Sequence, residues 1–160
     1  MKPHFDQNKI ESVKSLILNS KRIVITTHYK PDGDALGSSL GLWAYLKSLN
    51  IQAEVVLPSE FPNFLKWMQG SVETIDFSKS PEQAANLIDK ADLLFCLDFN
   101  VLARTKNMES ILLQSKAVKI LIDHHQQPQV SVFQYGVSDT SKSSTAEMVF
   151  DFIVGSGFDH

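Results

Sequence analysis

Ile23-Val24-Ile25-Thr26-Thr27-His28-Tyr29-Lys30-Pro31-Asp32-Gly33-Asp34-Ala35-Leu36-Gly37-Ser38-Ser39-Leu40 is the stretch whose reading decides the fold. It begins with a β-branched run, Ile23-Val24-Ile25, too short to be a helix by itself. A polar turn from Tyr29 to Asp34 follows. Ala35 to Leu49 then reads as a buried helix that stops at Asn50. Strand, polar turn and helix, in that order, form the opening unit of an α/β fold.

The same alternation continues on both sides. Gln7 to Asn19 places Ile10, Val13, Leu16 and Ile17 at helical spacing. Ala53 to Leu57 is a second strand, and Phe61 to Gln69 a short aromatic-rich helix closed by Gly70. Ser80-Pro81-Glu82-Gln83 combines an N-cap, a proline at the first helical position and a capping-box glutamine, opening a helix to about Lys90. Asp92 to Leu97 is the next strand, Met108 to Ser115 a helix, Val118 to Ile122 a strand, and Ser143 to about Val154 a last helix. This order predicts an α/β fold, a mainly parallel sheet with helices on both faces.

In open parallel sheets, ligands bind where the carboxyl ends of the strands release polar loops. Three strands here end in acids or histidines: the first in Thr27-His28, the Asp92 strand in Asp98, and the Val118 strand in Asp123-His124-His125. If these ends are neighbours, His28, Asp32, Asp34, Asp98, Asp123, His124 and His125 share one rim. Carboxylates so close repel one another unless cations lie between them. Mixed imidazole and carboxylate donors suit Mn²⁺, Fe²⁺, Co²⁺ or Zn²⁺ better than Ca²⁺. Each piece alone has an ordinary reading: Pro-Asp-Gly-Asp as a turn, Asp98 as a loop acid. Their joint placement at three strand ends points to metal-assisted phosphoryl chemistry. The start of the helix after Asp34 adds a partial positive charge suited to phosphate, with Ser38 in its first turns.

Composition narrows the classes. The 160 residues suffice for one domain. The one cysteine, Cys96, excludes an internal disulfide and reads as a small hydrophobe in a strand. No apolar run approaches the ~20 residues of a membrane span, and Met1 to Asp6 lacks a secretory pattern. A cytoplasmic protein with no membrane partner is expected; dimerisation is left open. A net charge of −3 argues against a general nucleic-acid coat, though not against a nucleotide held by metal ions. Trp43 and Tyr45 read as core or interface residues, and Phe61, Phe64 and Trp67 as core packing. Arg104, shortly after Asp98, could reach a substrate phosphate, although a surface arginine is its plainer reading.

The run His28 to Ser38 resembles the first motif of the DHH phosphoesterase superfamily. Asp98, in Phe95-Cys96-Leu97-Asp98-Phe99-Asn100, resembles its second, and Asp123-His124-His125 is the triplet that names the family. Ser143-Ser144-Thr145-Ala146-Glu147 is similar to a segment of the branch holding nanoRNases, phosphoadenosine-phosphate phosphatases and cyclic-dinucleotide phosphodiesterases, and Ser144 and Thr145 suit a helix N-cap at least as well as any catalytic part. The resemblance implies two divalent ions, Mn²⁺ first among them. His28, Asp32 and Asp98 would hold one, Asp34, Asp98 and His124 the other, with Asp98 bridging. It implies that Asp123 orients a histidine and that His125 faces the scissile phosphate.

The implied activity is two-metal, hydroxide-mediated hydrolysis of short nucleotides: oligoribonucleotides, 3′-phosphoadenosine 5′-phosphate, or linear and cyclic dinucleotides. The alternatives are an inorganic pyrophosphatase of the same superfamily and a catalytically incomplete metal- or nucleotide-binding module. The family pattern also carries a fourth motif with a further aspartate, then a substrate-recognising DHHA1 domain. Residues 1–160 are therefore expected to be an N-terminal domain incomplete at its C-terminal end, followed in the longer protein by both, since Gly157-Phe158-Asp159-His160 reads as a loop leading onward.

Overall fold

A strand covered by helices on both sides reads as a near-continuous apolar run. Ile23–Thr26, apolar up to its closing threonine, and Leu93–Leu97 fit that pattern, with every residue buried. In the computed structural model, which describes residues 6–158, the chain runs α1 (Gln7–Asn19), β1 (Ile23–Thr26), α2 (Gly33–Ser48), β2 (Ala53–Leu57), β3 (Ile75–Asp76), α3 (Pro81–Lys90), β4 (Leu93–Leu97), α4 (Glu109–Gln114), β5 (Val118–Asp123), β6 (Tyr135–Ser138) and α5 (Thr145–Ser156). Asp159 and His160 lie outside the described residues.

The strands form one sheet in the order β3-β2-β1-β4-β5-β6, every neighbouring pair parallel. Successive side chains of a strand point to opposite faces, and the core divides accordingly. Ile23, Ile25, Leu93, Phe95 and Leu97 face a layer from α1, α2 and α5 that includes Ile17, Leu36, Leu46 and Phe152. Val24, Leu94 and Cys96 face Ala84 and Ile88 of α3 and Leu112 of α4. Helices therefore cover both faces. Burial pushes the Cys96 thiol up to about 12, in keeping with its role as a small core group.

Strand order sets the place of the site. β1 connects to β2 on one side, while its other neighbour, β4, begins the run in the opposite direction. In doubly wound sheets that reversal opens a crevice at the carboxyl ends of the two central strands. His28 follows β1 and Asp98 follows β4, so both sit at the crevice.

Three expectations differ from the structure. Phe61 to Gln69 is not a helix but a chain of tight turns with one 3₁₀ turn at Asn63–Leu65. Only Leu65 is fully buried there; Phe61 packs half-buried against the core as expected, but Phe64 and Trp67 are 74% and 77% exposed. A segment this short does not sustain a helix by itself. Ser80 precedes Pro81 at the start of α3, but its side chain makes no capping bond. The edge strands β3 and β6, absent from the sequence reading, are short and lack an apolar run.

β6 matters because it backs the loop after β5: Ser138 Oγ donates to the His125 carbonyl at 3.2 Å. Gly136 in that strand has φ +151°, and a Cβ there would collide with the Leu121 backbone carbonyl. Gly136→Ala is expected to lower stability by about 2 kcal/mol, as overpacking against fixed backbone does. Urea unfolding of the two proteins measures this.

Candidate metal centre

The turn after β1 is shaped by its own side chains. Asp32 is the N-cap of α2, its Oδ1 accepting from the Ala35 amide at 2.9 Å. His28 Nδ1 lies 2.8 Å from the Tyr29 carbonyl oxygen. A carbonyl can only accept, so Nδ1 carries the proton and Nε2 is turned to the cluster. That Nε2 is 3.4 Å from Asp98 Oδ2 and 3.8 Å from Asp32 Oδ1.

Asp98 is buried and adopts φ +63°, the left-handed region that aspartate tolerates better than most residues. Its Oδ2 faces His28, whereas its Oδ1 lies 3.3 Å from His124 Nε2. The same His124 nitrogen is 3.5 Å from Asp34 Oδ2. One carboxylate thus presents its two oxygens to two groups of donors, His28 with Asp32 and Asp34 with His124.

Distance alone would also group His125 with Asp98 and His124. Its Nδ1 is 4.0 Å from Asp98 Oδ1 but 2.6 Å from Asp123 Oδ1. Asp123 is fully buried and also accepts from the His125 amide at 3.1 Å. A carboxylate in that position keeps the proton on Nδ1, which removes its lone pair as a ligand. Nε2 is the nitrogen left to meet a third party.

Thr145, at the start of α5, takes a part that sequence reasoning assigned to capping. Ser144 is the N-cap, its Oγ accepting from the Glu147 amide at 3.1 Å. Thr145 is fully buried, and its Oγ1 donates to Asp98 Oδ1 at 3.0 Å. The Thr145 and Ala146 amides donate to Asp34 Oδ2 and Oδ1 at 3.0 and 2.8 Å. The available signal was the doubled hydroxyl: a helix start needs one cap, and Ser144-Thr145 supplies two. Ser38 is buried, its hydroxyl donated to the Ala35 carbonyl at 3.2 Å, and the structure does not bring it to the cluster. Arg104 is half-buried, and its carbonyl accepts from the Tyr29 amide at 2.8 Å, next to His28.

Residues 22–159 match the model of the DHH family, N-terminal domain. The chain belongs to the DHH family. It is 33% identical over 132 residues, 82% of its length, to the bifunctional oligoribonuclease and PAP phosphatase NrnA of Thermus thermophilus, of which it covers 36%. It is 27% identical over 146 residues, 87% of its length, to the cyclic-di-AMP phosphodiesterase PdeA of Listeria monocytogenes, covering 22% of that protein. The structure of an exopolyphosphatase-related protein from Bacteroides fragilis superimposes with a TM-score of 0.94 at 39% identity. That match takes in 99% of this chain and 46% of the other. The chain thus spans about a third or less of the curated relatives it matches. Sirtuin structures align at 10% identity with TM-scores near 0.60, a likeness of fold alone.

In this DHH domain the electrostatics test whether the donors suit metal ions. Burial alone would raise Asp98, but hydrogen bonds from His28 and Thr145 hold its carboxyl below the usual range. Asp34 is raised, first by burial and then by the Asp98 charge, against the pull of the two α5 amides. His28 is raised: burial works against its charge, but Asp98 and the Tyr29 carbonyl outweigh it. Paired carboxylates flanked by imidazoles with free Nε2 atoms fit divalent ions of the Mn²⁺ to Zn²⁺ series.

The sign of the pH dependence follows. Protonated His28 contributes stability to the metal-free protein below its ordinary value of 6.5, and that contribution is lost as pH rises through the raised folded value. A metal must displace the same proton. Thermal melts with and without Mn²⁺ are expected to show a larger metal-induced rise at pH 8 than at pH 5.5. An equal rise at both would detach metal binding from His28.

Proposed function

We propose that the protein is a metal-dependent phosphoesterase of short nucleotides: oligoribonucleotides, 3′-phosphoadenosine 5′-phosphate, or linear and cyclic dinucleotides. The observation that carries the reading is Asp98, whose two oxygens serve two donor groups 3.3–3.4 Å away. In this reading His28, Asp32 and Asp98 would hold one ion, and Asp34, Asp98 and His124 the other. Two such ions, Mn²⁺ by preference, would supply a Lewis acid to phosphoryl oxygens and lower the pKa of bound water.

The protein's own groups do the rest. The Asp123 carboxylate, 2.6 Å from His125 Nδ1, fixes that ring with Nδ1 as donor and turns Nε2 outward; in the doubly protonated ring, whose charge Asp123 balances, Nε2 donates to a phosphoryl or leaving oxygen. The Arg104 carbonyl accepts from the Tyr29 amide in the loop carrying His28, and this reading assigns the Arg104 guanidinium to a second phosphate. Asn100 Nδ2 donates to the Gln126 carbonyl at 2.6 Å, joining the loops that carry Asp98 and His125. The activities named for NrnA and PdeA support the substrate class. The greater length of both relatives supports placing recognition of base and ribose in a further domain.

Hydrolysis is tested by nucleotide or phosphate release from a panel of short oligoribonucleotides, 3′-phosphoadenosine 5′-phosphate, cyclic dinucleotides and pyrophosphate with Mn²⁺. Asp98→Asn is expected to remove Mn²⁺ binding and activity together. His125→Ala is expected to lower kcat by about 10²–10⁴-fold, the scale of general acid–base catalysis, with Mn²⁺ binding retained. Turnover of pyrophosphate alone would move the substrate assignment, and no turnover with both ions bound would refute the activity.

A further inference from the structure

We propose that Thr145 is a positioning residue of the centre, its hydroxyl fixing which oxygen of Asp98 serves which group of ligands. A carboxylate turns about a soft, two-fold torsion, so a bridging role needs something to stop the turn. His28 Nε2 attracts Oδ2 on one side. On the other, Thr145 Oγ1 holds Oδ1 at 3.0 Å, the same oxygen that lies 3.3 Å from His124 Nε2. A carboxylate oxygen has two lone pairs, so Oδ1 can accept from Thr145 and still face a cation. The neighbouring Thr145 amide holds Asp34 Oδ2 at 3.0 Å, so one residue addresses two carboxylates of the same donor group.

The helix start does not depend on that hydroxyl. Ser144 Oγ caps the Glu147 amide. Glu147 Oε2 accepts from the Ser143 amide and hydroxyl at 3.1 and 2.7 Å. Lys142 Nζ reaches Asp151 at 2.7 Å. In Ser143-Ser144-Thr145-Ala146-Glu147, then, Ser143, Ser144 and Glu147 build the helix terminus, while Thr145 and Ala146 serve the carboxylates. Division of labour of this kind separates a structural from a positioning role by mutation. The assignment rests on the reading of Asp98 as a shared metal ligand.

The test is Mn²⁺ titration of the chain, followed by calorimetry and by electron paramagnetic resonance, on wild type, T145V, T145S and S144A, each with a thermal melt. T145V is expected to weaken Mn²⁺ binding by about 10–100-fold, the scale for groups that orient metal ligands. T145S, which keeps the hydroxyl, is expected to bind as wild type does. S144A is expected to lower the melting temperature with Mn²⁺ affinity unchanged. If T145V does not fold, T145A carries the same expectation. Unchanged affinity in T145V or T145A, beside a wild type that binds Mn²⁺, overturns the assignment and leaves the metal centre standing. Equal weakening by S144A also overturns it, since the effect would then belong to the helix. A wild type that takes up no Mn²⁺ overturns both readings.

Discussion

Asp98 is a carboxylate buried at the carboxyl end of a central strand, and the rest of the site is arranged around its charge. An ionised acid so placed must be met by donors or cations, because burial alone would drive it neutral. His28, His124 and Thr145 meet it from three elements. Its backbone sits in the left-handed region, a conformation kept only where the surroundings determine it. Its amide donates to the Ile122 carbonyl of the adjacent strand at 3.1 Å, which anchors the turn.

The fold delivers those partners through strand order. β1 and β4 are neighbours, and the chain departs from them in opposite directions across the sheet. The loops after both strands therefore open into one crevice, with the β5 loop beside them. α2 and α5 pack on each other in the layer covering one face of the sheet, and their N-terminal turns bring Asp32, Asp34 and Thr145 to the cluster. The DHH triplet divides its work: Asp123 is buried beneath the ring of His125, while His124 reaches forward to Asp98 and Asp34.

Much of this was legible in the sequence, for definite reasons. The central strands are fully buried, so they appear as apolar runs, and polar residues at their ends stand out against them. His28, Asp98 and Asp123 to His125 were visible on that contrast, and Asp32 and Asp34 on the Pro-Gly turn that holds them. Thr145 was not, because a hydroxyl near a helix start is ordinarily a cap. Only the structure shows Ser144 capping and Thr145 turned inward. The edge strands β3 and β6 escaped notice because neither has an apolar run. Phe61 to Gln69 misled for the opposite reason: it has the aromatics of a packed helix, but two of them stay in solvent. Strand order, which makes the crevice, is not written in any local pattern.

The central claim is that Asp98 is shared by two ions. Anomalous diffraction at the manganese edge, from crystals grown with Mn²⁺, tests it directly. The account predicts two peaks on either side of the Asp98 carboxylate, roughly 3.5–4 Å apart as in other two-metal sites, one beside His28 and Asp32 and one beside His124 and Asp34. A single peak, or peaks away from Asp98, would contradict it.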